Sequence, residues 1–238
     1  MGSYSFAAVV PAAGSSNRMG SSGSKLLEEL GGLTVLSRTL RGLLACTILS
    51  EIVIPCRPVD REGILRSLAA VNPSIPIQLI DGGRVRQESV LKGLEYLESK
   101  TSNAKSVVVA IHDAARCFVT GDLVQAALMG AAEYGAVTTG VKLADSIKKV
   151  SHNGEVECSL SREDVWCIQT PQAFRLDIVL KAHREALLRA DDTGATDDSS
   201  LVETSHSVRM IAGENINFKV TTPQDLELAA AIVKAQSN

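Results

Sequence analysis

The feature of this sequence that most limits its fold is a regular alternation of short apolar runs with longer helical patterns. Strands are predicted by apolar, β-rich runs at 6–10, 51–54, 77–80, 106–111, 136–141 and 208–212. Helices are predicted by amphipathic or helix-favouring stretches at 34–44, 60–70, 87–98, 122–134, 175–189 and 223–234. Such alternation is typical of an α/β fold with a largely parallel sheet between layers of helices.

The stretch 145–167 breaks this alternation. It has alternating charges, a turn signal at Asn153 and Gly154, and short extended pieces on either side of that turn. These features predict a hairpin that leaves the sheet, and we expect residues 142–168 to form an arm that contacts another subunit. The chain has no internal repeat, linker or low-complexity segment, so we expect the arm to be inserted in one domain that spans 1–238.

Composition disfavours several classes of function. The net charge of −3 disfavours nucleic-acid binding. An aromatic content of 3% also leaves few side chains on which the bases of a single strand could stack. Since no run reaches about 18 apolar residues, we expect no membrane span. The five cysteines never form a CxxC pair. We interpret them as reduced thiols in or near the core of a cytoplasmic protein. The apolar start of the sequence lacks the basic leader that a signal peptide would have, so we do not expect it to be one.

The loop after the first predicted strand is the most informative motif. It reads PAAGSSNRMG from Pro11 and continues as SSGSK to Lys25. Small residues let backbone N–H groups approach an anion closely, and Arg18 and Lys25 add two cations, so the loop suits a triphosphate. It is not a Walker A loop, because Leu26 replaces the magnesium-binding hydroxyl. The alternative is a flexible surface loop.

Two further loops follow predicted strands and should meet the first one at the carboxyl edge of the sheet. One contains Gly82, Gly83, Arg86 and Ser89, in which glycines permit close approach and the other two offer hydrogen-bond donors. By itself it could equally be an ordinary strand-to-helix turn. The other reads HDAAR from His112 to Arg116. A carboxylate there, near phosphates, suggests that Asp113 is a magnesium ligand, although a lone Asp is more often a turn or cap residue.

Taken together, PAAGxxxRMG…K, GGxxRxxSV, HDAAR, W…TPQ and NxKVTTPxDL resemble the 2-C-methyl-D-erythritol 4-phosphate cytidylyltransferase family, in the family's order from Pro11 to Leu226. The resemblance implies a Rossmann-like three-layer α/β sandwich of the nucleotide-diphospho-sugar transferase type, with a protruding β-arm for dimerisation. It implies transfer of CMP from CTP to methylerythritol phosphate in non-mevalonate isoprenoid synthesis. It also implies Mg²⁺ or another divalent cation, and a cytoplasmic homodimer with exchanged arms.

The resemblance implies a role for each matching residue. Arg18 and Lys25 stabilise the transition state, Arg162 and Lys219 hold the acceptor phosphate, and Asp113 binds the metal. The CTP and substrate contacts are Ala12, Ala13, Gly14, Gly82, Gly83, Arg86, Ser89, Ala114, Ser146 and Thr196. Three features depart from the family pattern: Ser16 replaces a usual Gly, Ser146 replaces an expected Thr, and the Asp-rich stretch 190–199, which contains Thr196, is longer than expected.

This set of residues suits the implied reaction. A phosphate nucleophile has a second pKa of about 6, so it is mostly ionised at neutral pH and needs no general base. The four histidines, His112, His152, His183 and His206, form no base–nucleophile group, and we expect the last three to be solvated. What the reaction needs is cations that relieve the repulsion between two anions.

Two alternatives stay open at this point. A cytidylyltransferase for another polyol phosphate, such as ribitol 5-phosphate, fits most of the same residues. A non-catalytic nucleotide-binding module predicts CTP binding without turnover, but Arg18, Lys25 and Asp113 are all present. A dehydrogenase is disfavoured, because the first loop lacks the G-x-G-x-x-G fingerprint.

Overall fold

The structure is a computed structural model that describes residues 4–14, 24–188 and 197–236. The strands in chain order are β1 (Ser5–Val9), β2 (Glu29–Leu30), β3 (Leu33–Thr34), β4 (Glu51–Cys56), β5 (Ile77–Asp81), β6 (Val107–Ile111), β7 (Ala136–Lys142), β8 (Ile147–Val150), β9 (Val156–Leu160), β10 (Trp166–Arg175) and β11 (Arg209–Ala212). The α-helices are α1 (Val35–Leu44), α2 (Arg61–Val71), α3 (Arg86–Ser99), α4 (Gly121–Tyr134), α5 (Leu176–Leu188), α6 (Asp198–Val202) and α7 (Pro223–Gln236).

Seven strands form the central sheet in the order β11-β7-β10-β6-β1-β4-β5. The pairs β1–β4, β1–β6, β4–β5 and β7–β11 are parallel. Strand β10 is antiparallel to both of its neighbours, β6 and β7. The predicted α/β fold with a mostly parallel sheet is therefore confirmed.

Two apolar clusters cover the faces of this sheet, and β6 separates them. All five residues of β6 are buried. Val108 and Ala110 belong to one cluster, with residues of α1, α2, α4 and α7, whereas Val109 and Ile111 belong to the other, with residues of α3 and α5. Successive strand residues point to opposite faces, so an uninterrupted apolar run is what a strand covered on both sides requires. The helices and sheet thus form the three predicted layers.

Strand β10 was not predicted, and it changes the extent of the arm. Its register with β7 shifts between Gln169 and Ala173, a stretch that contains Pro171. A proline donates no ladder hydrogen bond and is found in strands at edges or irregularities, so the polar and proline-containing sequence hides the strand. Trp166 pairs with Lys142 inside the central sheet. The part that forms its own two-stranded sheet is the hairpin β8–β9, with its turn at the predicted position, where Gly154 has φ +85°.

The cysteines lie partly where the sequence predicts. All five are free thiols; Cys46, Cys56 and Cys117 are buried, but Cys158 and Cys167 are exposed. The expectation of core or near-core positions is therefore wrong for the last two, which lie on β9 and near the start of β10.

Within the described ranges, no helix has the length and apolar character needed to cross a membrane.

Candidate active site

A cavity of about 230 Å³ opens where the loops that follow β1 and β6 meet. Its lining is Pro11, Ala12, Ala13, Gly14, Lys25, Leu26, Arg86, Ser89, Asp113, Ala114, Ala115 and Lys219. Of the charged residues in this lining, three are cations and one is a carboxylate, so the cavity attracts an anionic ligand. The cavity lies at the carboxyl ends of these strands, the edge of the sheet where the sequence analysis expects a ligand.

Close backbone approach builds the side of the cavity next to β4. The Ala12 N–H donates to the Pro55 carbonyl, and the Gly82 N–H donates to the Cys56 carbonyl, each at 2.8 Å. A Cβ atom on Gly82 would come within 2.3 Å of the Ala13 Cβ, so only glycine permits these two loops to touch. The Ser89 hydroxyl accepts a hydrogen bond from the Gly83 N–H at 3.0 Å, which fixes the loop before α3.

The HDAAR loop, residues 112–116, is held by a hydrogen-bond chain through Thr170 of β10. The Thr170 hydroxyl accepts from the Asp113 N–H at 3.0 Å and donates to Nδ1 of His112, 3.1 Å away, because Nε2 carries the proton of the neutral ring. Nε2 of His112 then donates to the Arg116 carbonyl at 3.2 Å. Burial lowers the pKa of His112 to about 4, so the ring is neutral at pH 7 and both of its nitrogens are used structurally.

Lys219 reaches the cavity because the segment before α7 is tied to the HDAAR loop. The Val220 N–H donates to the Ala115 carbonyl at 2.9 Å, and the Asn217 side-chain amide donates to the Thr170 carbonyl at 2.8 Å. Nζ of Lys219 then lies 2.8 Å from Oδ2 of Asp113. Residues about a hundred positions apart in the sequence therefore meet through backbone bonds.

Arg86, the first residue of α3, bridges two carboxylates. Its Nε lies 2.9 Å from Oδ1 of Asp113, and its terminal nitrogen lies 2.8 Å from Oδ2 of Asp198. Burial alone would lower the pKa of Arg86, but the two carboxylates raise it well above its ordinary value. Burial alone would raise the pKa of Asp113, but Arg86 and Lys219 hold it far below its ordinary value. Both groups therefore stay charged.

A second cavity of about 260 Å³ adjoins the first. Arg86, Asp113 and Lys219 line both cavities, and we call these three residues the shared wall. The remaining lining of the second cavity is Arg116, Ile168, Gln169, Thr170, Gln172 and Asp197. Two ligands in these cavities would approach each other along charged side chains, which suits a reaction between two anions.

The lining of the first cavity offers a divalent cation a single carboxylate, that of Asp113. In the described ranges, no group of three or more His, Cys, Asp or Glu side chains could hold a metal ion. Asp113 remains as a single carboxylate: Arg86 contacts its Oδ1, Lys219 contacts its Oδ2 at 2.8 Å, and Nε of Arg116 lies 3.8 Å from the same Oδ2. Each carboxylate oxygen has two acceptor sites. One carboxylate together with substrate phosphates and waters is a usual magnesium environment.

The structure brings most of the predicted residues together. Those that line the first cavity are Ala12, Ala13, Gly14, Lys25, Arg86, Ser89, Asp113, Ala114 and Lys219. Gly82 and Gly83 line a neighbouring groove that also includes Ala13. Arg18 and Thr196 lie outside the described residues.

The two residues predicted on the arm do not reach the cavities of their own chain. Ser146 and Arg162 are exposed and, in the part of the chain that the structure describes, belong to the lining of neither cavity. The Arg162 guanidinium donates to the Ala144 carbonyl instead.

One histidine prediction is wrong. His183 was expected to be solvated, but it is fully buried in α5, with Nε2 3.2 Å from Oδ1 of Asp198. Asp198, the first residue of α6, was missed as a site residue, because nothing in the Asp-rich stretch 190–199 distinguishes it from its neighbours. Arg116 was also assigned no role, although its place in the HDAAR motif could have indicated one.

Comparison with known proteins gives one consistent family. The IspD family model, 2-C-methyl-D-erythritol 4-phosphate cytidylyltransferase, matches residues 6–235. The proteins of that name from Pelotomaculum thermopropionicum and Synechococcus sp. are 39% and 38% identical to this chain. The alignments cover 97% of this chain and 94% of the first relative, and 95% of this chain and 96% of the second.

Solved structures agree with this result. The 4-diphosphocytidyl-2C-methyl-D-erythritol synthase of Anaerococcus prevotii is similar with a TM-score of 0.82 at 28% identity, over 97% of this chain and 96% of that one. The 2-C-methyl-D-erythritol 4-phosphate cytidylyltransferase of Thermus thermophilus has a TM-score of 0.74 at 29% identity, over 96% of this chain and 98% of that one.

Proposed function

Because this chain belongs to the 2-C-methyl-D-erythritol 4-phosphate cytidylyltransferase family, we infer that it transfers the cytidylyl group of CTP to 2-C-methyl-D-erythritol 4-phosphate. The products are 4-diphosphocytidyl-2-C-methyl-D-erythritol and pyrophosphate, and the step belongs to non-mevalonate isoprenoid synthesis. The structural observation that best supports this inference is the shared wall between two adjoining cavities. One cavity takes the nucleotide, and the other takes the acceptor.

The first cavity is proposed to hold the triphosphate. The small residues Ala12, Ala13 and Gly14 line it, and Lys25 contributes a cation. Arg18 is assigned the same role from its place in the loop motif. The groove lined by Ala13, Gly82 and Gly83 is proposed to take the base and ribose, with Ser89 fixing the loop and Ala114 closing the other side. Lys25 and Arg18 would stabilise charge that develops on the leaving pyrophosphate.

The second cavity is proposed to hold the acceptor. Lys219 would bind its phosphate from the shared wall, together with Arg162 of a partner subunit. Thr196 and Ser146 are assigned further contacts with the acceptor. An oxygen of the acceptor phosphate would attack the α-phosphorus of CTP, and the bond to the β-phosphate would break on the opposite side.

No side chain needs to remove a proton in this reaction. The acceptor phosphate has a second pKa of about 6 and is mostly a dianion at pH 7. His112, the histidine of the HDAAR loop, is neutral and buried, and both of its nitrogens are already hydrogen-bonded. This arrangement supports catalysis by charge stabilisation and orientation.

Asp113 is proposed to hold Mg²⁺ or another divalent cation together with the phosphates of CTP. When bound, the metal would neutralise charge on the triphosphate. Asp113 already contacts Lys219 and Arg86, so the carboxylate would link the metal to both cations of the shared wall.

A homodimer with exchanged arms is proposed to complete the site. Val150, Val156 and Leu160 of the hairpin are at least 46% exposed, which is unfavourable for apolar side chains unless another surface covers them. Arg162 follows this hairpin and lies away from the cavities of its own chain. We also propose that the enzyme works in the cytoplasm, where free thiols such as those of this chain persist.

The test is a pyrophosphate-release assay with CTP and Mg²⁺, in which 2-C-methyl-D-erythritol 4-phosphate and ribitol 5-phosphate are compared as acceptors. Turnover with the first and a product of the mass of 4-diphosphocytidyl-2-C-methyl-D-erythritol are expected. A preference for ribitol 5-phosphate would overturn the acceptor assignment. Binding of CTP without turnover with either acceptor would favour the non-catalytic alternative.

A further inference from the structure

The shared wall is connected to a buried polar group that lies behind it. Arg86 contacts Asp113 through Nε and contacts Asp198 through a terminal nitrogen, at 2.9 and 2.8 Å. The Asp198 side chain is only 1% exposed and lines neither cavity, so it does not reach a ligand. Its contact with Arg86 is its connection to the site.

Asp198 is itself held from two directions. The Asp198 N–H and the next backbone N–H, that of Ser199, both donate to Oε1 of Gln172 at 3.0 Å. The amide nitrogen of Gln172 donates to Thr138 and Asp197, so the Gln172 side chain is fully used. This is the glutamine of the TPQ motif, to which the proposed reaction assigns no role.

His183 of α5 fixes the side chain of Asp198. Nε2 of His183 lies 3.2 Å from Oδ1 of Asp198. Nδ1 is buried and has no hydrogen-bond partner among the described residues, so placing a proton there would leave an unsatisfied donor. The proton therefore belongs on Nε2, which donates to Asp198.

We propose that Asp198 is a positioning residue for the reaction: it holds the Arg86 guanidinium so that Arg86 meets Asp113 through Nε alone and leaves Oδ2 of Asp113 to Lys219. This proposal rests on the proposed function, in which Lys219 binds the acceptor phosphate. The physical reason is the preference of a guanidinium for two parallel bonds to one carboxylate. Without Asp198, the same guanidinium would turn toward both oxygens of Asp113 and displace Lys219.

The change Asp198→Asn keeps the shape and removes the charge. By analogy with outer-shell partners of metal ligands, the KM for the acceptor should rise about 10-fold or more. At saturating Mg²⁺, the KM for CTP should rise less than the KM for the acceptor, since the proposed displacement of Lys219 acts on the acceptor phosphate and leaves the loop at 12–14, proposed to hold the triphosphate, in place. The matched control is Glu98→Gln, which removes an exposed ion pair with Arg184 between α3, the helix that begins with Arg86, and α5, the helix that carries His183. Its kinetics should equal those of the unchanged protein.

A double variant separates positioning from general damage. If Asp198 acts through Lys219, adding Asp198→Asn to Lys219→Ala should raise the acceptor KM no further. An independent second rise, or equal rises for CTP and acceptor in Asp198→Asn, would overturn the proposal. If Asp198→Asn yields no folded protein, His183→Leu serves instead, because it removes the donor to Asp198 and should give a smaller rise in the acceptor KM alone. Equal rises for both substrates in that variant would overturn the proposal as well.

A readout without turnover distinguishes this proposal from the proposed function. The side-chain Nε–H resonance of Arg86, assigned by its loss in Arg86→Lys, should shift in Asp198→Asn and stay in place in Glu98→Gln. An unchanged resonance in Asp198→Asn would overturn the positioning role. Absence of turnover in the unchanged protein would overturn the proposed function and leave the resonance test valid.

Discussion

The HDAAR loop and the hairpin β8–β9 both adjoin residues assigned to substrate, yet their surroundings are opposite. In the loop, His112, Asp113, Ala114 and Ala115 are all buried. In the hairpin, all five residues of β9 are exposed. The loop is fixed by its own chain, through Thr170 and the segment that carries Lys219. The hairpin is held by its own ladder of β8 and β9 and by side-chain contacts between these two strands, such as that of Lys148 with Ser159.

This difference indicates which parts of the site one chain can complete. A carboxylate that must bind charge at a defined angle is placed where packing and hydrogen bonds leave it no freedom. An exposed arginine that follows such a hairpin gains that precision only when another surface covers this part of the chain. We therefore expect substitutions near the loop to act within one chain, and those on the arm to act on a partner.

The largest expected effect tests the side of the site that one chain builds. Arg18→Ala or Lys25→Ala should lower kcat by about 10³-fold or more, with a much smaller change in the KM for CTP, because these cations act on charge developed in the transition state. Steady-state rates at saturating CTP and acceptor measure this. A loss below about tenfold would contradict the role assigned to the pair.

The next effect compares a buried hydroxyl with an exposed one. Thr170→Val leaves the Asp113 N–H and Nδ1 of His112 without partners, and should lower the free energy of unfolding by about 1–3 kcal/mol. Ser159→Ala removes a hydroxyl that binds Lys148 on the hairpin and should change it by less than about 0.5 kcal/mol. Urea unfolding of both variants measures the difference. Equal shifts would break the comparison between loop and hairpin.

The buried strands and the loops at the carboxyl edge of the sheet could be predicted, because both produce local patterns in the sequence. The apolar run of β6 indicates a strand that is covered on both faces. The small residues around Gly14 indicate a loop whose backbone can approach a ligand closely. Strand β10 was missed because Gln169, Thr170 and Pro171 look like a loop. Their polar groups are instead paired inside the protein, with Asp113, Asn217 and Glu214 as partners.

Individual side-chain contacts between distant parts of the chain could not be predicted, although the meeting of the three loops could. Asp198 is one of several acidic residues in its stretch, and only the folded chain brings it to Arg86, 112 positions away. The burial of His183 could not be predicted either, because its position on an amphipathic helix did not reveal which face of the helix is covered. Family resemblance supplied the remaining roles, including those of Arg18 and Thr196.

A smaller effect is expected for the metal. Asp113→Asn should raise the Mg²⁺ concentration needed for half-maximal rate by about tenfold or more, because an amide keeps the shape but not the charge that holds a hard cation. The rate is titrated against Mg²⁺ at saturating CTP, and circular dichroism checks the fold. An unchanged titration would assign Asp113 to holding Arg86 and Lys219 alone, and the loop would then be purely structural.

The smallest expected signal tests the arm directly. Two inactive variants, Lys25→Ala and Arg162→Ala, are mixed through unfolding and refolding. If Arg162 acts on the partner's site, each mixed dimer has one site with both lesions and one with neither. Random pairing makes roughly half of the dimers mixed, so about a quarter of all sites should be restored.

The alternative gives a different number, which makes the mixing experiment decisive. If Arg162 serves its own chain, every site carries one lesion and no activity returns beyond the sum of the two variants. Mass spectrometry confirms that mixed dimers are present in either case. Mixing two variants of the first cavity, Lys25→Ala and Lys219→Ala, is the matched control. Both residues line the cavity of one chain, so each site keeps one lesion and activity should not recover. Recovery in the control would show that chains exchange more than the arm.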